Sequence, residues 1–256
     1  MRHEAYFRIS AEHDTAILFI HGIIGTPDHF TDFVKMVPEN VSVVNILLDG
    51  HGKGVEDFAA SSMKKWKKQV SDCVAQLCET HRRIIIAAHS MGTLFAIQQA
   101  IAYPDKITYL FLISTPLELF IKPEMISNAL KVYSGRIKPD DAKGMAAKNA
   151  YGIGADKRFW KYLGWLPRYS ELFAEIKLTR KLVTELRTPC DIYLSKKDEL
   201  VSANTEKILK SCGIENVHVL QNSGHIYYDD ADYAFMLDEF GKKVLDRQIQ
   251  SLDTTP

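Results

Sequence analysis

Ser90 lies where the sequence turns from a strongly apolar run into a helical pattern. Residues 83–92 read Arg-Ile-Ile-Ile-Ala-Ala-His-Ser-Met-Gly. A strand followed at once by a helix forms a tight turn that lifts the serine hydroxyl above the sheet edge, the geometry of a nucleophile elbow. Crowding there demands small residues two before and two after the serine. Gly92 meets that demand, and Ala88 presents only a methyl group where glycine is usual. The helix after Ser90 would add its positive N-terminal end.

A serine hydroxyl is a poor nucleophile until a base takes its proton and a third group holds that base. In strand-turn-helix sites the chain order is serine, acid, histidine. Only His218 and His225 follow Ser90. His218 falls inside the apolar run 217–220, where burial or surface alternation accounts for it. His225 falls in Gln-Asn-Ser-Gly-His, just past that strand's C-terminal end, where ligand sites of open sheets gather. His225 is therefore the expected base. The preceding strand, 190–195, leads into Lys-Lys-Asp-Glu-Leu-Val, so Asp198 is the expected acid. A lone aspartate there would read as a turn or cap residue; the spacings of 108 residues from Ser90 and 27 to His225 favour the catalytic reading. Glu199 should point elsewhere, and Asp191 sits at the strand's wrong end.

Acyl transfer also needs backbone N–H groups where an oxyanion develops. Met91, directly after the serine, supplies one expected donor. Residues 21–27, His-Gly-Ile-Ile-Gly-Thr-Pro, follow an early strand, and Gly22 and Gly25 permit a tight loop there. Ile23 is the expected second donor, with His21 shaping the loop.

These residues require a scaffold. Short runs rich in Ile, Val and Leu occur at 16–20, 41–47, 83–88, 108–113, 190–195 and 217–221. Several are apolar on both faces, as suits a parallel sheet covered by helices on both sides. Helical patterns lie between them at 61–80, with Trp66 on the apolar stripe, at 91–103 and at 228–249. The strand-helix alternation indicates an α/β fold with a mostly parallel central sheet. Residues 115–188 break the rhythm: no strand pattern, but many aromatics. They are expected to form a helical cap inserted between two strands, with 1–114 and 189–256 forming the core. Trp160 and Trp165 in that insertion are candidates to line an acyl pocket, and a small core of the insertion itself accounts for most of the other aromatics there. Residues after Ile249 read as a frayed tail.

Composition excludes other classes. The 256 residues hold 32 Lys and Arg against 32 Asp and Glu, and 46% are hydrophobic. A neutral total lacks the field of a dedicated nucleic-acid binder, so the lysines at 64, 65, 67 and 68 read as a solvated helix face. No apolar run approaches the roughly 18 residues that span a bilayer. No secretion signal is read in residues 1–11, and a cytoplasmic location is expected. Cys73, Cys78, Cys190 and Cys212 form no metal-binding spacing and read as reduced thiols. His3, His13 and His81 read as surface residues, and His89 as packing beside the serine. Neither a metal nor an organic cofactor is expected.

The segments His-Gly-Ile-Ile-Gly-Thr-Pro, Leu48-Asp49-Gly50-His51-Gly52, Ala-His-Ser-Met-Gly, Asp198 and Asn-Ser-Gly-His occur in the order found in α/β-hydrolases. The chain resembles bacterial carboxylesterases and monoacylglycerol lipases over residues 15–245, the insertion matching only in position and character. The resemblance implies an α/β-hydrolase fold, a triad of Ser90, Asp198 and His225, and oxyanion donors Ile23 and Met91. His51 and Gly52 match a loop that is structural in the family. The expected activity is hydrolysis of a small, neutral, apolar ester (a short- to medium-chain acyl ester or a monoacylglycerol) through an acyl-enzyme. A C–C, amide, lactone or thioester bond could use the same residues, peroxide-dependent relatives share such elbows, and a non-catalytic ligand receptor is the rival from another class.

Overall fold

The structure is a computed structural model that describes residues 3–11 and 14–249. His13 and the expected tail lie outside the described residues. Strands β1 (Tyr6–Arg8), β2 (Thr15–Ile20), β3 (Ser42–Ile46), β4 (Arg83–His89), β5 (Ile107–Ile113), β6 (Cys190–Ser195) and β7 (Val217–Leu220) form one sheet in the order β1-β3-β2-β4-β5-β6-β7. Only the pairing of β1 with β3 is antiparallel. The six expected strands are present, and β1 adds a seventh at the edge. Its three residues carry no apolar run, so periodicity gives no sign of it.

Alternation along the central strands explains why both faces must be covered. Ala16, Leu18 and Ile20 of β2 enter one apolar cluster, while Ile17 and Phe19 enter another. Helices α1 (Thr31–Met36), α2 (Val55–Ala60), α3 (Met63–Thr80) and α4 (Met91–Ala102) follow in chain order. Helix α3 begins at Ser62, whose hydroxyl accepts the Lys65 N–H at 3.2 Å, a side-chain N-cap. It buries Met63, Trp66, Val70, Val74 and Leu77 at helical spacing. Its lysines face outward: Lys64, Lys65 and Lys68 are exposed, and Lys67 pairs with Glu175 at 2.7 Å.

Between β5 and β6 run α5 (Pro123–Ser134), α6 (Ala142–Ala150), a 3-10 helix (Phe159–Trp165) and α7 (Leu166–Leu182), followed by a single 3-10 turn (Val183–Glu185). Leu172 and Ile176 of α7 join the same cluster as Trp66 and Phe95. Helices α8 (Asn204–Ser211) and α9 (Asp230–Phe240) complete the chain, α9 continuing as a π-helix over Gly241–Ile249. Phe240 of α9 packs with Phe33 and Phe111 on the opposite face. Among the described residues no helix is long and apolar enough to cross a membrane.

Two polar residues are held differently from their surface or local reading. His81 is buried, and its Nε2 lies 2.8 Å from Ser42 Oγ, so it closes the end of α3 against β3 rather than facing solvent. His218 donates to Asp191 at 2.6 Å, Lys243 donates to the same carboxylate oxygen at 3.2 Å, and the Tyr109 hydroxyl donates to the other. This buried carboxylate joins β5, β6, β7 and the C-terminal helix. Burial opposes its charge, but the three donors prevail and hold Asp191 below the usual aspartate range.

Removing one partner from a buried charged network typically costs about 3–5 kcal/mol. Asp191→Ala should lower the urea midpoint of unfolding by a corresponding amount near pH 7. The native carboxyl is depressed, so its contribution is present above the unfolded value and lost as pH falls through the folded one. The gap between wild type and variant should therefore close below about pH 4. A pH-independent gap would show that only packing had been lost.

Candidate active site

Ser90 joins β4 to α4 with φ 51° and ψ −122°, outside the regions an L residue prefers. Such a conformation costs on the order of 1–3 kcal/mol and needs surroundings that enforce it. The Ser90 N–H donates to Ile113 O at 2.9 Å, and the Thr93 hydroxyl and N–H donate to Ser90 O at 2.6 and 2.9 Å. Gly92 brings α4 against the end of β2: a β-carbon there would stand 2.3 Å from Ile20 O. No residue other than glycine fits without moving the helix off the sheet.

His225 lies in the loop after β7 and is buried. Its Nε2 is 3.0 Å from Ser90 Oγ and its Nδ1 is 2.9 Å from Asp198 Oδ2. Asp198 lies just past β6, also buried, and its Oδ1 accepts the N–H groups of Leu200 and Val201, both at 2.7 Å. One carboxylate oxygen is thus fixed by backbone and the other is turned to the imidazole. Nδ1–H donates to Asp198, which leaves the Nε2 lone pair facing the serine hydroxyl. Burial lowers the His225 pKa, but the charge and hydrogen bond of Asp198, with the charge of Glu199, outweigh it. The net shift is upward from the ordinary histidine value.

Three further histidines surround this line, and burial keeps them neutral. His21 accepts the Leu48 N–H at its Nε2 (3.0 Å) and donates from Nδ1 to Gly22 O (2.8 Å), tying the loop after β2 to the end of β3. Burial, then the neighbouring His51, hold it well below the usual range. His89 donates to His225 O at 3.1 Å and stacks on His29, ring centroids 4.0 Å apart. Burial, then the charge of His225, pushes His29 down to about 3.

Ile23 lies in the turn closed by Gly25 N–H to Gly22 O at 3.1 Å, and Met91 is the first residue of α4. Ile24 takes φ 52° and its carbonyl accepts the Gly152 N–H at 2.8 Å. A β-carbon on Gly152 would stand 1.8 Å from Thr26 Cγ2, so the chain after α6 presses its backbone onto the loop that carries Ile23.

A cavity of about 930 Å³ opens from Ser90 and His225, with Ile23 on its wall. Most of its remaining lining comes from apolar side chains of residues 119–173. Trp165 is on that wall, 4% exposed, its Nε1–H donating to Val55 O at 3.0 Å. Trp160 is not: its ring is 56% exposed and packs edge-on against Phe159. The structure therefore brings Trp165 but not Trp160 to the cavity. Among the described residues no group of three or more His, Cys, Asp or Glu side chains is arranged to hold a metal ion.

Glu199 is the residue that local reading passes over. Its buried carboxylate accepts the His225 N–H at 2.9 Å and lies 3.5 Å from Lys143 Nζ of α6. It holds the backbone of His225, where Asp198 holds the ring. The available signal was the adjacent pair of acids after β6, both too close to the sheet end to be simply solvated.

Similar folds carry different chemistries. One structure from a study of LipS and LipT, two metagenome-derived lipolytic enzymes, superposes with a TM-score of 0.73 at 18% identity, covering 96% of this chain and 98% of the other. E-2-(acetamidomethylene)succinate hydrolase gives 0.62 at 16%, covering 93% of each chain. The thioesterase domain from the curacin biosynthetic pathway gives 0.57 at 18%, covering 91% and 92%. At these identities the likeness is one of fold. No curated protein matches the chain in sequence. The sequence pattern of the alpha/beta hydrolase family matches residues 17–238, and the chain belongs to that family.

Proposed function

We propose that the protein is a serine esterase acting through an acyl-enzyme. The observation that carries this reading is the hydrogen-bonded line Ser90–His225–Asp198 at the base of an apolar cavity. As Ser90 Oγ attacks the ester carbonyl, His225 Nε2 takes its proton. The developing oxyanion is received by the N–H groups of Ile23 and Met91. His225 then passes the proton to the departing alkoxide, leaving an acyl group on Ser90. Water, deprotonated by the same nitrogen, attacks the acyl carbon and releases the acid. Asp198 keeps the imidazole in the tautomer that accepts at Nε2 and stabilises the imidazolium, without itself being protonated.

Residues 115–188 act as a cap in this reading, with Trp165 on the acyl wall. The mostly apolar lining fits a neutral ester, either a short- to medium-chain acyl ester or a monoacylglycerol. The neighbours in fold include both lipolytic enzymes and a thioesterase, so the choice of an ester rests on the apolar lining and not on them. The free thiols of all four cysteines suit a cytoplasmic location.

Ser90→Ala should lower hydrolysis of p-nitrophenyl butyrate by on the order of 10⁶ and abolish labelling by a fluorophosphonate. Asp198→Asn should lower kcat by roughly 10⁴ with the fold retained by circular dichroism. Activity near wild type in either variant would exclude the mechanism, and preference for a thioester or amide over the matched ester would reassign the bond.

The pH profile offers a separate check. His225 accepts a proton only when neutral, and its pKa is raised, so kcat/KM should fall on acidification with a midpoint above the ordinary histidine value near 6.5. Removing the Glu199 charge removes one of the groups that raise it. Glu199→Gln should move that midpoint to lower pH while hydrolysis at pH 9 changes little. An unmoved midpoint would limit Glu199 to holding the loop.

A further inference from the structure

Of the fifteen large apolar side chains exposed among the described residues, ten lie between residues 120 and 178. They are not scattered. Ile126 and Leu130, one turn apart on α5, are 57% and 64% exposed, and both line the catalytic cavity. Phe159 and Leu166 also line it, at 77% and 63% exposure. Trp160, whose ring packs on Phe159, and Leu163 of the same 3-10 helix are also exposed, at 56% and 65%, without reaching the cavity wall. The cavity mouth is thus rimmed by apolar side chains that nothing among the described residues covers. Contiguous exposure of this kind marks a docking surface.

The charge of the same segment identifies the occupant. Residues 115–188 contain fourteen Lys and Arg against eight Asp and Glu, a surplus of six positive charges in a chain of zero net charge, and residues 120–166 alone hold nine against four. Arg136, Lys138, Lys148 and Lys157 are exposed. Lys157 is also on the cavity wall. A second copy placed rim to rim would set this surplus against itself. Exposed apolar side chains on a segment with surplus positive charge suit an anionic bilayer: ring and aliphatic side chains enter the acyl boundary while Lys and Arg meet lipid phosphates.

We infer that the exposed apolar rim of residues 120–166, with its surplus of positive charge, is a docking surface for an anionic lipid bilayer. Docked in this way, the cavity mouth opens onto the membrane, and an acyl chain can pass from lipid to the wall around Trp165 without crossing water. The inference is independent of the hydrolytic reading, because docking is measured without turnover.

The test uses the tryptophans. Trp66 and Trp165 are buried, so Trp160 is the one exposed tryptophan of the three. Vesicles of phosphatidylglycerol and phosphatidylcholine should shift the protein's emission to shorter wavelength and co-sediment it. Binding should be at least about tenfold weaker to phosphatidylcholine alone and should weaken in about 0.5 M salt as charges are screened. Trp160→Phe should bind with most of the spectral shift lost. Trp160→Ser combined with Leu163→Ser should weaken vesicle binding about tenfold and leave hydrolysis of soluble p-nitrophenyl acetate unchanged. Absence of co-sedimentation with anionic vesicles, equal binding by the double variant, or a lipid-free dimer that the double variant dissolves would overturn the inference, the last by assigning the rim to a second copy.

Discussion

The hydrogen bond from His225 Nδ1 to Asp198 Oδ2 places a carboxylate charge where solvent is largely excluded, and the surrounding structure serves to hold that charge. A buried carboxylate left without hydrogen-bond donors is costly, so the charge needs partners fixed in place. The N–H groups of Leu200 and Val201 supply the donors, and the loop that presents them is fixed in turn by the chain leaving β5. Phe120 N–H donates to Leu200 O at 2.8 Å, and Lys122 N–H to Glu199 O at 2.9 Å. The segment between β5 and β6 therefore does more than line the cavity. Its first residues brace the acid loop, and Gly152 braces the loop bearing Ile23.

A raised histidine pKa and three neutral histidines nearby follow from one balance. All four rings are desolvated, which favours the uncharged form. Only His225 faces carboxylates, and only there is the trend reversed. His29 and His89 stack as flat, neutral rings, and His21 spends both nitrogens on backbone. In the proposed reaction this separates one base from three spacers of identical chemistry.

Much of this arrangement was legible in the sequence, and what was not has physical causes. Ala88 and Gly92 announce the elbow because the packing of α4 on β2 tolerates nothing larger at Gly92. Strand ends locate Asp198 and His225 because a parallel sheet sends its loops to one edge. Contacts between distant segments leave no local trace: Glu199 with His225 N–H, Gly152 with Ile24, His218 with Asp191, His81 with Ser42. Trp160 and Trp165 look alike as letters in an aromatic run. A 3-10 helix repeats every three residues, so Tyr162 and Trp165 share one side, rings 4.9 Å apart, and Trp160 turns outward. Zero net charge likewise conceals a segregated distribution, with six surplus positive charges in residues 115–188 balanced by the rest of the chain.

The central claim is that an acyl group passes through Ser90. The most direct measurement is mass spectrometry of protein mixed with p-nitrophenyl butyrate and quenched in acid within the first turnovers. The account predicts a fraction of the protein heavier by one butyryl group, with the added mass on the peptide containing Ser90. Turnover with no acylated protein at any quench time, or the butyryl group on another residue, would contradict it.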